Sequence, residues 1–505
     1  MNSIGGGDRR AWLPYLALTG AAVYLYLNLF ALPCTPFLLG GDQVYFWMYA
    51  QRLLHGEHVY VDFFQFTPPG TDLVYATLFW FFGQRLWVAN AAVFLLGIAL
   101  CVICFAIARK VLHRGPAMLS AALFLVLLYG KPLNATHHWF SLLAVMCAVW
   151  LAMAKAGARW LVAIGALLGL ASFFTQTRGL VVLFAFLAFH LWEDARAKSP
   201  WKNILRNQAL LVLGFAAVLL LLSAPFLAFA GPAQLWYFQF TYVRQYLAHG
   251  MDQLPLGLPG PLAWRTLPRL SQYLVFYALP LVVYPVTLWQ CWRARGDSAP
   301  VWRNLSLLSL TGLFLFAEAV LSLNWLRLFA VSMPAVILLL WIISRAANIC
   351  RCVFAALWIA TFVIAVAGTA SRQIHQPTIA HLPGGAVATT PETAAKLEWI
   401  AQHTQPGEFF FQAGWPGVYL PLELRNPAYV DVILPANETR PEDIASTVQR
   451  LDQKQVSYVL WPARLDQQVP GSADNVTPLR NWLRLHYTRI HTFPDGDVLW
   501  QSDRK

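Results

Sequence analysis

Charge is what this 505-residue sequence has least of. Asp, Glu, Lys and Arg together make up 12% of it, about half the share usual in soluble domains. With 58% hydrophobic residues and a mean hydropathy of +0.52, that scarcity excludes one large water-soluble core. Cysteine is scarce too. Of the seven, Cys101, Cys104, Cys147, Cys291, Cys350 and Cys352 lie in or beside apolar runs, and Cys34 stands alone after the first. No cysteine follows Cys352, so the last part of the chain has no internal disulfide. Cys101 and Cys104 have a redox-like spacing, but in mid-run they read as packing. Nucleotide-binding glycine loops, zinc-ligand spacings and internal repeats are also missing, which excludes the common nucleotide-handling, zinc and repeat classes.

What the sequence has instead is apolar length. Leu86–Ala108 and Ala209–Ala230 carry no charged side chain, and about 20 such residues let a helix cross a hydrocarbon core of about 30 Å. Candidate spans fall at 11–32, 86–108, 116–130, 139–154, 160–174, 179–192, 209–230, 271–291, 304–322, 328–344 and 352–370. They predict a polytopic α-helical membrane protein with about 11 transmembrane helices. Trp12, Trp87, Trp139, Trp160, Trp201, Trp292 and Trp302 flank these runs, where an amphipathic ring is comfortable at headgroup level. The run 11–32 follows Arg9 and Arg10. It is too long for a cleaved signal and reads as a retained signal anchor.

The basic residues sort the loops. One alternate set holds Arg9–Arg10, Arg109–Arg114, Lys155–Arg159, Arg196–Arg206, Arg293–Arg303 and Arg345–Arg351. The positive-inside rule places that set and the N-terminus in the cytoplasm. An odd number of spans then places the C-terminus outside, in a bacterial inner membrane or its equivalent. The net charge of +12 fits attraction to membrane lipids rather than nucleic acid.

Two domains are expected: a transmembrane domain over 1–370, with a first outer loop at 33–85, and a small extracytoplasmic α/β domain over 371–505. In the tail, Pro391–Gln405 and Pro441–Lys454 read as helices, and Val456–Trp461 and Asp497–Gln501 as strands. In the first outer loop, Asp42–His55 has helical spacing of apolar residues and reads as an amphipathic interfacial helix. Thr71–Phe82 reads as a second one after Pro68-Pro69-Gly70. Asp42 stands where the first of these helices begins, as an N-cap would. Asn134, Asn437 and Asn475 head glycosylation-type triplets, which arise often by chance.

Several stretches resemble one family. Gly41-Asp42-Gln43-Val44-Tyr45, Val59-Tyr60-Val61-Asp62-Phe63-Phe64 and Pro68-Pro69-Gly70-Thr71 resemble the first loop of the GT-C membrane glycosyltransferases. The similar branch is the dolichyl-phosphate-mannose mannosyltransferase-like one, also called RgtA/B/C/D-like. The lipid A aminoarabinose transferase and the protein O-mannosyltransferases are more distant. Gly169-Leu170-Ala171, Thr175-Gln176 and Gly179, and later Arg327-Leu328-Phe329 with Pro334, resemble two further stretches of that family.

The resemblance implies an inverting glycosyltransferase, hexosyl or pentosyl. Its donor is a polyprenyl-phosphate-linked sugar and its acceptor a lipid, glycan or protein on the outer face. It makes Asp42 the base and Asp62 a candidate second acid. Lys131, Arg178, Arg244 and Arg327 lie on the outer side, against the positive-inside bias, along with Arg265 and Arg269. They read as holders of the donor phosphate or as snorkelling side chains. Gln43, His137 and His138 complete the candidate polar site.

The chain departs from the family in three places. Gln43 stands where an acid often follows the first Asp, Thr67 where a Lys often precedes Pro-Pro, and the second outer loop, with His137 and His138, has no acid. The histidines either replace that acid or face the headgroups. No cofactor is assigned; a divalent cation, magnesium or manganese, is what related sites would accept. The rival readings are a transporter or lipid-linked glycan flippase, and an O-antigen ligase or polymerase.

Overall fold

The structure, a computed structural model, describes residues 12–155, 157–245, 278–294, 300–320, 325–346, 350–434, 439–467 and 474–504. Arg265, Arg269 and Asn437 lie outside them. The chain divides into two compact units. Unit 1 comprises Met1–Leu27, Val93–Ala224 and Leu247–Ala370, and unit 2 comprises Asn28–Ala92, Pro225–Tyr246 and Ser371–Lys505.

The helices of the first two-thirds are α1 (Leu13–Leu29), α2 (Gln43–Leu54), α3 (Gly70–Phe82), α4 (Leu86–Ala108), α5 (Arg114–Leu123), α6 (His137–Ala154), α7 (Ala158–Phe174), α8 (Gln176–Arg196) and α9 (Trp201–Trp236). Then come α10 (Leu279–Arg293), α11 (Pro300–Val320), α12 (Trp325–Val331), α13 (Met333–Ser344) and α14 (Cys350–His375). Within the described residues every candidate span falls on a helix, as an apolar run must where only the helix's own carbonyls can satisfy its N–H groups. Among the described residues five helices are long and apolar enough to cross a membrane, and the pair α12 and α13, bent by 54°, makes a sixth if it is one span. The bend falls at Ser332, just before Pro334. Gly231, at φ 79°, breaks α9 near Pro232.

Small residues set the close packing of unit 1. A Cβ on Gly165 or Gly169 of α7 would collide with the backbone of Leu211 or Phe215 in α9, and one on Gly214 with that of Val162. Gly179 of α8 meets Leu168 and Ser172 of α7 in the same way. Such small-residue contacts bring membrane helices together where no hydrophobic effect drives them.

Unit 2 joins loop and tail. β1 (Phe30–Ala31) pairs with β2 (Thr35–Pro36), and β3 (Thr378–Leu382) pairs antiparallel with β4 (Gly385–Thr389), to which Phe37 bridges at Ala388. The main sheet has the order β5 (Phe410–Gln412), β6 (Tyr458–Pro462), β8 (Asp497–Ser502), β7 (Tyr487–Thr492). β5 runs parallel to β6 and the other pairs are antiparallel. The tail helices are α15 (Pro391–His403), α16 (Pro441–Gln453) and α17 (Thr477–His486). Thr390 caps α15 by accepting the Thr393 N–H at 3.3 Å.

One expectation is corrected here. α2 is not an amphipathic helix lying on a surface. Gln43, Val44 and all of Phe46–Arg52 are buried, against α3 and the turn Tyr419–Leu422. A helix covered on nearly all sides offers lipid no apolar stripe. α3 does keep Trp80, Phe81 and Phe82 exposed at its end.

Candidate functional site

In unit 2, Gly41 turns the chain with φ 75°, a conformation glycine adopts without a Cβ penalty, and α2 starts two residues on. Asp42 sits at the N-cap but makes no side-chain cap hydrogen bond, so the capping expectation is also corrected: with its own φ and ψ helical, the residue lacks the extended geometry that aims a cap at N3. The buried Gln43 donates from Nε2 to the Gly40 carbonyl at 3.0 Å. Trp415 donates to the Gly41 carbonyl at 3.3 Å and packs edge-on against Tyr45. The entry to α2 is thereby pinned from both sides.

Two acids lie deeper. Asp72 in α3 is fully buried and accepts from Gln65 Nε2 at 3.1 Å. Burial pushes its carboxyl up to about 8, with Gln65 opposing and Asp431 adding to the rise. Asp431 accepts a short hydrogen bond from the Tyr49 hydroxyl of α2. Burial lifts this carboxyl to about 6, against the pull of the Tyr49 bond. Asp62 is half-exposed, and its carboxylate accepts the His58 N–H at 2.7 Å and lies 3.3 Å from the His58 ring. Arg244 is exposed.

In unit 1 the structure gathers Arg178, His137 and His138. Arg178 of α8 is fully buried and spends its guanidinium inside the protein. It donates to the His138 carbonyl at 2.7 Å and to Ser141 Oγ at 3.0 Å, and pairs with Glu318 of α11 at 3.3 Å. Thr177 donates to the other Glu318 oxygen at 2.9 Å. Thr175 lies 3.0 Å from the His137 ring and donates to the His137 carbonyl at 3.2 Å. The half-buried Arg327 of α12 presents its charge to both histidines. Lys131 is exposed in the turn before α6.

Sequence reasoning missed Glu318 and Asp431. Glu318 had a usable signal, being the one charged residue in the stretch 304–320, and an ionisable residue inside a span demands a partner. Asp431 had none, because Tyr49 lies 382 positions away. Among the described residues no group of three or more His, Cys, Asp or Glu is arranged to hold a metal ion.

Comparison with known proteins adds a partial family match and a fold. The family model of dolichyl-phosphate-mannose-protein mannosyltransferases matches residues 67–229. The structure is similar to that of ArnT from Cupriavidus metallidurans bound to undecaprenyl phosphate, with a TM-score of 0.59 at 14% identity over 98% of both chains. It is similar to the Archaeoglobus fulgidus oligosaccharyltransferase in complex with zinc and sulfate, with a TM-score of 0.55 at 14% identity over 96% of this chain and 73% of that one. The archaeal oligosaccharyltransferase AglB from the same organism, in complex with an inhibitory peptide and a dolichol-phosphate, gives 0.54 at 13% identity, covering 99% and 75%.

The chain shares the fold of these three structures. No curated protein sequence matches the chain. The family match covers Asp72, Lys131, His137, His138 and Arg178, while Asp42, Asp62, Arg244 and Arg327 lie outside it.

Proposed function

We propose that this chain is an inverting membrane glycosyltransferase. It takes a sugar from a polyprenyl-phosphate carrier and transfers it to a hydroxyl of a lipid, glycan or protein acceptor on the outer face. The observation that carries this reading is the likeness to a undecaprenyl-phosphate-bound transferase along 98% of both chains, joined to a mannosyltransferase family match over residues 67–229. About eleven helices cross the membrane, with the N-terminus inside and residues 371–505 outside.

Asp42 is the base. It removes the proton from the acceptor hydroxyl as that oxygen bonds to the anomeric carbon, and the lipid phosphate leaves with the electrons of the broken bond. Gln43 and Trp415 fix the backbone that carries Asp42. Lys131 and Arg327 hold the departing phosphate, where charge develops during transfer. Arg178, already engaged with Glu318 and His138, positions the α6 entrance rather than touching the donor. Asp62 is the candidate second acid, and Arg244 a further candidate holder of the donor phosphate.

Asp42→Asn tests the reading. The change keeps the side chain's shape and removes its basicity, and general-base catalysis is worth roughly 10²–10⁴-fold. Mass spectrometry of glycolipids and glycoproteins from cells with and without the chain identifies the product. Cells carrying Asp42→Asn should form it at least about 100-fold more slowly, with expression and melting temperature near wild type. Retention of most of the product would refute the assignment.

A further inference from the structure

The C-terminal end of α16 gathers positive charge that the transfer step leaves unused. Arg450 and Lys454 lie one turn apart there, within electrostatic reach of Arg52 of α2, and Lys454 also of Arg425. The carboxylate ion-paired with this group is Glu57, 2.7 Å from Arg52 and 3.8 Å from Arg425. Asp62 accepts through its backbone carbonyl from Arg52 at 3.1 Å and Arg450 at 2.8 Å, and its carboxylate, which bonds the His58 N–H, also offsets the Arg450 charge. Four cations thus gather around two acids, Glu57 ion-paired among them and Asp62 beside Arg450. Burial holds the Lys454 ammonium below its usual range; Glu57 opposes this, and Arg52, Arg450 and Arg425 add to it. Crowded, half-buried like charges are costly unless an anion offsets them.

Arg450 also lines an open cleft of about 580 Å³. Tyr237, Tyr429, Gln234 and Arg440 share its wall with the acids Glu442 and Asp443, both of which are ion-paired with Arg440. The Arg450 guanidinium lies 5.5 Å from the centre of the Tyr429 ring, and that of Arg440 lies 5.3 Å from the Tyr237 ring. Arg440 is locked by Asp443 through bonds of 2.8 and 2.7 Å. Among the described residues Arg450 bonds a backbone carbonyl, that of Asp62, rather than a carboxylate. The cleft therefore combines tyrosine rings, an amide and an arginine backed by further positive charge. A sugar ring has an apolar face suited to tyrosine and hydroxyl edges suited to an amide, and an acidic substituent suits the arginine.

We infer that this cleft binds an anionic saccharide, its carboxylate or phosphate set against Arg450 and the field of Lys454 and Arg425. That the saccharide belongs to the acceptor rests on the proposed transferase reading; the binding itself does not. Neither the sequence patterns nor the family resemblance points to these residues.

The test titrates the full chain, in nanodiscs of zwitterionic lipid, with trigalacturonate, glucose 1-phosphate and neutral maltotriose, followed by saturation-transfer NMR. An acidic probe should bind at least about tenfold more tightly than maltotriose, the worth of one charge-assisted hydrogen bond. Preference between the two acidic probes tells carboxylate from phosphate. Arg450→Gln and Lys454→Gln should each weaken the acidic probe by about tenfold. Lys454 is half-exposed at a helix end, so its variant remains informative if Arg450→Gln fails to fold. Equal binding of maltotriose, no binding of either acidic probe, or unchanged affinity in Lys454→Gln would overturn the inference. Asp42→Asn separates the two readings. It should slow transfer at least about 100-fold and leave probe binding intact, and an Asp42→Asn that retains most of its activity would sink the base assignment without touching the cleft.

Discussion

Asp72 shows how far one residue's setting can depart from its appearance in sequence. In loop 1 it looks like one of several acids; in the structure it is sealed beneath α2 and α3 with Gln65 as its partner. Its carboxyl rises from 3.8 to about 8 because burial disfavours the charge. The folded state then holds the proton more tightly than the unfolded state. Stability from this group is complete below about pH 4 and is lost as pH rises through about 8. Asp431, raised to about 6, adds a component that is spent earlier. The melting midpoint of the full chain should fall between pH 4 and pH 8, and Asp72→Asn should flatten most of that slope and raise the midpoint at pH 8. A slope unchanged in Asp72→Asn would contradict the burial. Product formation in Asp72→Asn should stay close to wild type, since this acid is walled off rather than aimed at a reactant.

At the scale of elements, α8 and α11 are tied by the buried Arg178–Glu318 pair, with Thr177 as a second strut. Removing one partner of a buried pair leaves an uncompensated charge and costs about 3–5 kcal/mol, whereas replacing both by apolar residues is often neutral. Arg178→Gln and Glu318→Gln should each lower thermal stability sharply, and Arg178→Met with Glu318→Leu should recover much of it. If the double replacement is as damaged as the singles, the pair does more than balance charge. The α7–α9 contact depends on close backbone approach. Gly165→Leu would place a side chain against the Leu211 carbonyl, where backbone cannot yield. Expression of folded protein, followed by size-exclusion chromatography, should collapse in that variant and survive in Gly115→Leu, whose Cβ meets nothing.

For the whole molecule, the division into units changes what a truncation means. The first outer loop and the tail fall in the same unit: Arg52 donates to the Ala428 carbonyl at 2.7 Å, and Tyr49 to Asp431. Deleting 385–505 therefore strips α2 of its cover and should expose loop 1 to protease as well as end product formation. A truncated chain with a protease-resistant loop 1 would count against this shared core. The proposed topology is tested separately. A phosphatase reporter fused after residue 380 should be active, and a cytoplasm-only reporter working there would reverse the orientation.

The sequence by itself determined the helices that read as spans and much of the tail's secondary structure. Apolar length and turn chemistry are local, and α15, α16, β6 and β8 appear within a few residues of where Pro391, Pro441, Val456 and Asp497 announce them. It also held the motifs around Asp42 and Thr175 that resemble the GT-C family. Only the tertiary structure decided which faces are covered. The amphipathic pattern of α2 looks the same whether lipid or the tail lies against it, and here Tyr419–Leu422 packs on it. Likewise the partners of Arg178, Tyr49 and Arg450 lie across long stretches of chain. A charge reveals in sequence that it needs compensation, and only the fold reveals what supplies it.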